Sequence, residues 1–159
     1  MADYIGPVLD AVIAVLQKYT PDLLTALSDS NDTPRAPFTL IGREFIGILP
    51  SPPQAWVMPV RTEIRDQENT LPQQSVVTVK IGIVGGEPEA MVDMALDYVR
   101  AVSDAVLMAD PANDWGANII RVHPQVHDYG PLYERGTTFA RFPEVHLVVT
   151  HEELAVQAV

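Results

Sequence analysis

Apolar and polar residues alternate along the chain with two periods, and the places where the period changes predict its elements. Between residues 5 and 28 the apolar positions follow helical spacing, with Val8, Val12, Val15 and Tyr19 on one face and Leu16 beside them. Pro21 lacks an N–H and crowds the preceding turn, so the pattern predicts two helical pieces, the second being Asp22 to Leu27. Ser28 to Pro37 reads as a polar loop, and Phe38 to Pro53 as an extended excursion with one short strand. A strand is predicted over Trp56–Ile64, with Trp56, Met58, Val60 and Ile64 on one face and Pro59, Arg61 and Glu63 on the other. Pro59 cannot donate to a ladder, which places it at an edge or a bulge.

The stretch 75–84 alternates at period two and predicts a second strand. Gly85-Gly86 then leads into a helix over about residues 87–108, with Pro88 suited to its first turn and Asp110-Pro111 to its end. On this helix Met91, Ala95, Tyr98, Val102 and Val106 form an apolar face. Glu89, Asp93, Asp97, Arg100 and Asp104 form an acidic back. Two further strands are expected at Asn118–His127 and Thr137–Thr150, joined by a loop rich in Gly, Pro and Tyr. In the last of them Val145, Leu147 and Val149 face one way, and Glu144, His146 and Val148 the other.

The order helix, strand, strand, helix, strand, strand predicts a single α+β domain over residues 1–159: a mainly antiparallel four-stranded sheet with two helices on one face. The opposite face would then carry Arg61, Glu63, Lys80, Arg121, His123, Glu144 and His146, wet in a monomer or buried against a neighbour in an assembly. The polar connection at 65–74, longer than a hairpin needs, is either a flexible loop or an arm ordered by a partner. The tail from 151 to 159 reads as a helical turn or a docking arm.

Composition narrows the function. The 21 acidic against 10 basic residues, a formal net charge of −11, argue against gripping nucleic acid through its phosphates. The absence of cysteine removes disulfides, thiolate metal sites and a cysteine nucleophile. The longest apolar run near the start, Ala11 to Leu16, is too short to span a membrane and follows acids rather than a basic segment, so neither a signal peptide nor an anchor is expected.

Candidate chemistry is sparse. His123, His127 and Asp128 are the nearest thing to a metal cluster, with His146 as a further ligand from the last strand. Four residues along a strand cover about 13 Å, too far for His123 and His127 to share one ion. Gly85-Gly86 lacks the Lys and Ser/Thr of a phosphate loop, and Glu87 and Glu89 occupy the turn an anion would need. No serine lies in a G-x-S-x-G context. The acidic back of the second helix is either a solvated outer face or a surface turned to a lumen or a basic partner. No catalytic, cofactor or metal residue is therefore assigned.

The whole layout resembles the tail terminator, or tail-completion, proteins of long-tailed bacteriophages. The resemblance rests on the Tyr-Thr-Pro-Asp-Leu-Leu break at 19–24 and on the aromatic-led strand Trp56-Val57-Met58-Pro59-Val60 before a polar loop. It also rests on the alternating strand and long helix around 91–99, the Tyr129–Tyr133 loop and the final strand at 142–149. It implies a non-enzymatic virion protein, assembled in the host cytoplasm, that forms a six-fold ring of identical copies. Such a ring caps the tail tube, meets the tube protein and the head connector or head-closure protein, and lets DNA slide through its lumen without specific binding. The contacts this implies fall on Arg61, Glu63, Arg65, Asp66, Gln67, Glu68, Arg121 and Glu144. Another neck or minor tail component is the neighbouring reading. A small metal-assisted hydrolase using His123, His127 and Asp128, or an adaptor for a basic partner, is the distant one.

Overall fold

A computed structural model describes residues 5–43, 52–63, 73–111, 113–116 and 119–152. Among these residues there are two helices and seven strands. In chain order they are α1 (Ile5–Asn31), β1 (Leu40–Gly42), β2 (Gln54–Glu63), β3 (Gln73–Gly85), α2 (Pro88–Met108), β4 (Ile119–Asp128), β5 (Leu132–Arg135), β6 (Thr138–Arg141) and β7 (Glu144–His151).

The α+β class holds, but the sheet is mixed and larger than the four antiparallel strands expected. Its centre is antiparallel: β2 pairs β3, β3 pairs β7, and β7 pairs β4. β1 is the one short strand expected between Phe38 and Pro53, whereas β5 was not expected and the strand expected over Thr137–Thr150 is divided into β6 and β7. β1 pairs in parallel with the first three residues of β2. The Gly/Pro/Tyr loop contains β5, which forms a hairpin with β6 from the start of the expected last strand, and β6 pairs the far end of β3. The hairpin turns on Gly136-Thr137, with glycine first at φ 59°, where a type II′ turn places it. Gly130, at φ 66°, fixes the approach to that hairpin; a Cβ there would lie 2.9 Å from the Phe142 carbonyl oxygen.

α1 is continuous through Pro21 rather than split. The lost hydrogen bond and steric crowding cost about 3 kcal/mol. Beyond the proline, however, Leu24 and Leu27 are buried, and each such side chain returns roughly 1.5–3 kcal/mol. The proline itself points to solvent, so packing carries the helix across it. α2 begins as expected, with Pro88 in the first turn after Glu87, and stops at Met108.

Both helices cover the same face of the sheet. Ala55, Val57, Val77, Val79, Ile81, Ile83, Val145, Leu147 and Val149 meet Val12, Leu16, Met91, Ala95, Val102 and Val106 in one apolar core. On β2 this inverts the expected orientation: Ala55 and Val57 face the helices, while Trp56 lies on the outer side, where it is nonetheless only 1% exposed. A bulge between Pro59 and Arg61 then shifts the alternation by one residue, so Arg61 and Glu63 join Trp56 and Met58 on the outer face.

Candidate functional site

The register of the sheet places the expected outer-face residues together. Across the four central strands directly opposed residues share a face. One outer row is Trp56, Lys80, Glu144 and Asp128; the next is Met58, Thr78, His146 and Val126. The third is Arg61, Val76, Val148 and His123, and the fourth Glu63, Gln74, Thr150 and Arg121. Arg61, Glu63, Arg121 and Glu144 therefore lie on one surface, spread across its width. Arg65, Asp66, Gln67 and Glu68 lie outside the described residues, as does the tail from 153. Gln73 and Gln74, expected in the loop, belong to β3, and His151, expected in the tail, ends β7 and is buried.

The surface is less uniformly polar than the alternation suggested. Thr78 and Trp56 are buried, and Val76 and Val148 are half-buried. Lys80 lies 5.6 Å from the centre of the Phe142 ring, which in turn meets Tyr133 edge-on at 5.8 Å. His146 stands 3.3 Å from the Glu144 carboxylate.

The histidine cluster separates. By register His127 opposes Val145 on the helix side of the sheet, whereas Asp128 opposes Glu144 and His123 opposes Val148 on the outer side, although His123 and His127 both border the groove between α2 and β4. His146 opposes Val126, not a histidine. Among the described residues no three His, Asp or Glu side chains gather where one metal ion would be held.

His127 instead accepts or donates a hydrogen bond at 2.6 Å to the Ser103 hydroxyl of α2. The pair lies in an open groove of about 490 Å³ between α2 and β4, bordered by Leu96, Val99, Arg100, Asp104, Leu107, Pro124 and Tyr129. Ser103 sits in the interior of α2, where backbone N–H groups are already engaged by carbonyls four residues back. The main chain beside it thus offers no donors for an oxyanion, the component acyl transfer most needs. A second serine–histidine contact, Ser75 to His151 at 2.8 Å, is fully buried and continues to Thr62 at 2.9 Å. It satisfies polar groups inside the sheet and has no access for a substrate.

Two polar ties between distant parts of the chain were invisible to periodicity. The Asp97 carboxylate, expected on the solvated acidic back, is buried. It accepts hydrogen bonds from Arg35 at 2.8 Å and Asn31 at 3.0 Å. Beside it the Tyr98 hydroxyl donates to the Ala36 carbonyl at 2.6 Å. Asp97 lies on the edge of the acidic stripe nearest Ala101, so a small rotation toward the core brings it under the α1–β1 connection. The acidic back is thereby reduced to Glu89, Asp93 and Asp104, with Arg100 paired to Asp104 at 3.5 Å. In the second tie, Asp114 receives Lys18 at 2.8 Å, the Tyr19 hydroxyl at 2.5 Å and the Asp110 N–H at 2.7 Å.

Two groups in these ties, Asp114 and Tyr98, are shifted from their ordinary titration ranges. Hydrogen bonds from Lys18, Tyr19 and the Asp110 backbone hold the Asp114 carboxyl down at about 2, against an ordinary 3.8. Its contribution is therefore complete above the ordinary value and is lost as pH falls toward 2. Burial, chiefly, pushes the Tyr98 phenol up to about 12. That contribution is complete below pH 10 and lost as pH rises toward 12. Urea midpoints measured against pH are expected to decline at both ends. Asp114→Asn should flatten the acid limb and Tyr98→Phe the alkaline one, each leaving the other limb in place. An acid limb unaltered in Asp114→Asn would refute the assignment.

No protein-family model matches the chain, and no curated protein matches it.

Proposed function

We propose that the chain is a structural subunit of a phage head–tail junction. Copies form a ring that caps the tail tube, ends its elongation and joins the tail to the head connector. The observation that carries this reading is the division of labour within the sheet. The helices close one face into a core, while the other face presents Arg61 and Glu63 on β2, Arg121 on β4 and Glu144 on β7. Such a slab has the makings of a brick with several faces left for neighbours. The order of the long elements, α1, β2, β3, α2, β4 and β7, supports the same reading, because it is the order on which the resemblance to tail terminators rests. The exposed acids Glu87, Glu89 and Asp93 on and before α2 suit a lumen that repels the DNA backbone and lets it slide.

The function so proposed is passive, without a catalytic step, cofactor or resident metal. The experiment is assembly. Light scattering after size exclusion, with electron microscopy of the purified protein alone and mixed with tail tubes, is expected to show rings of about six copies, free or seated on tube ends. Particles lacking the protein are expected to carry tubes of uncontrolled length. A protein that stays a single subunit at high concentration and leaves tube ends bare overturns the proposal.

A further inference from the structure

We infer that the groove between α2 and β4 receives the outer half of β2 from a second copy of this chain, a head-to-tail contact between opposite edges of the sheet. This rests on the ring proposed above and says which surfaces would make it. In the sheet β2 and β4 stand on opposite flanks of β3 and β7. One flank is the outer half of β2: beyond Trp56 no described strand pairs with its side away from β3, and Pro59 to Glu63 are exposed throughout. The bulge leaves Val60 unopposed and 56% exposed. The other flank is concave. The groove runs along an uncovered apolar ridge of α2, where Leu96 is 44% and Leu107 59% exposed, with the Tyr129 ring across from it. Isolated exposed apolar residues are ordinary, but a ridge and a groove side by side mark a contact surface.

Charge and spacing match as well. Arg61 and Glu63 are two residues apart on a strand, about 6.6 Å at 3.3 Å per residue. Arg100 and Asp104, on the groove's rim, are four apart on a helix, about 6 Å at 1.5 Å per residue. Within one copy Arg61 and Glu63 stand 3.8 Å apart, and Arg100 and Asp104 3.5 Å apart. Brought together with Val60 toward Leu107, the two pairs exchange partners, Arg61 to Asp104 and Glu63 to Arg100. The strand and groove are different surfaces, so the contact is heterologous and repeats from copy to copy, which generates a ring when the rotation closes.

The test uses two blocked variants of the full chain. Leu107→Arg fills the groove, and Val60→Asp spoils the strand; both sites are exposed, so both variants are expected to fold with wild-type circular dichroism. Each alone is expected to lose assembly and run at single-subunit mass. Mixed in equal amounts they retain one good strand and one good groove, and are expected to form dimers that grow no further. In addition, Arg61→Asp and Asp104→Arg should each weaken assembly at least tenfold, and the double variant should restore it. Wild-type assembly that survives both blocking changes overturns this interface while leaving the ring intact, and points to another protein as the groove's occupant. Wild type that never assembles, alone or on tail tubes, overturns the ring reading and this interface with it.

Discussion

Asp97→Ala is expected to destabilise the fold by about 3–5 kcal/mol, the usual cost of removing one member of a buried ion pair. The side chains of Arg35 and Asp97 are only 6% and 11% exposed. Without the carboxylate, the Arg35 guanidinium is left without its charged partner at 2.8 Å, and Asn31 loses its acceptor. Desolvation of an uncompensated cation, rather than loss of one attraction, sets the size of the effect. For a domain of this length the change corresponds to a fall in Tm of roughly 6–20 °C. Asp93→Ala, on the same helix but exposed, is expected to stay within about 0.5 kcal/mol. The double variant Asp97→Leu with Arg35→Met should recover most of the loss, because replacing both charges by apolar groups removes the penalty altogether. Thermal melts of the four proteins decide the matter. Equal, small effects at Asp97 and Asp93 would show that the pair is solvated.

This contrast also marks how far the sequence could be read. The long elements were legible because burial imposes a period. β3 alternates Val77, Val79, Ile81 and Ile83 into the core, and β7 does the same with Val145, Leu147 and Val149. Pro59 signalled its bulge through the missing donor. Where two local rules compete, the sequence does not say which wins. Pro21 argues for a break, yet the buried Leu24 and Leu27 outweigh it. Trp56 shares a strand with Ala55 and Val57, and the larger residue is not the one that faces the helices. Periodicity assigns two faces but not which of them the helices cover.

The candidate sites were legible in part for the same reason. The outer-face set of Arg61, Glu63, Arg121 and Glu144 follows from alternation plus strand pairing, and the register unites it. Contacts between residues far apart in the chain leave no periodic trace. Arg35 and Asp97 are 62 positions apart, Lys18 and Asp114 96, and Ser103 and His127 24. The one available signal was positional: Asp97 sits at the edge of its stripe, one residue before the buried Tyr98. The groove beside α2 had a clearer trace, since Leu96 falls between the buried face and the acidic back and Leu107 is an apolar residue in line with the acids. Their exposure leaves them for a neighbour.

Trp56→Ala is expected to cost about 3–5 kcal/mol as well, although the residue lies on the side of the sheet away from the helices. The ring is 1% exposed and opposes Lys80 in the register. Lys80 itself reaches over the Phe142 ring. Truncation would leave a cavity on the outer face and loosen the row that carries Glu144 and Asp128 beside it. Two separable consequences follow. Urea unfolding followed by circular dichroism should show a lower midpoint with an unchanged slope, because the surface exposed on unfolding is nearly the same. Trp56→Phe, which keeps most of the volume, should lose markedly less. If the outer face contributes to ring contacts, Trp56→Phe should also assemble normally at temperatures well below its melting point, since Arg61, Glu63 and the groove are untouched. A cost below about 1 kcal/mol for Trp56→Ala would mean that the outer face tolerates a void and that the burial of this ring does little for the fold.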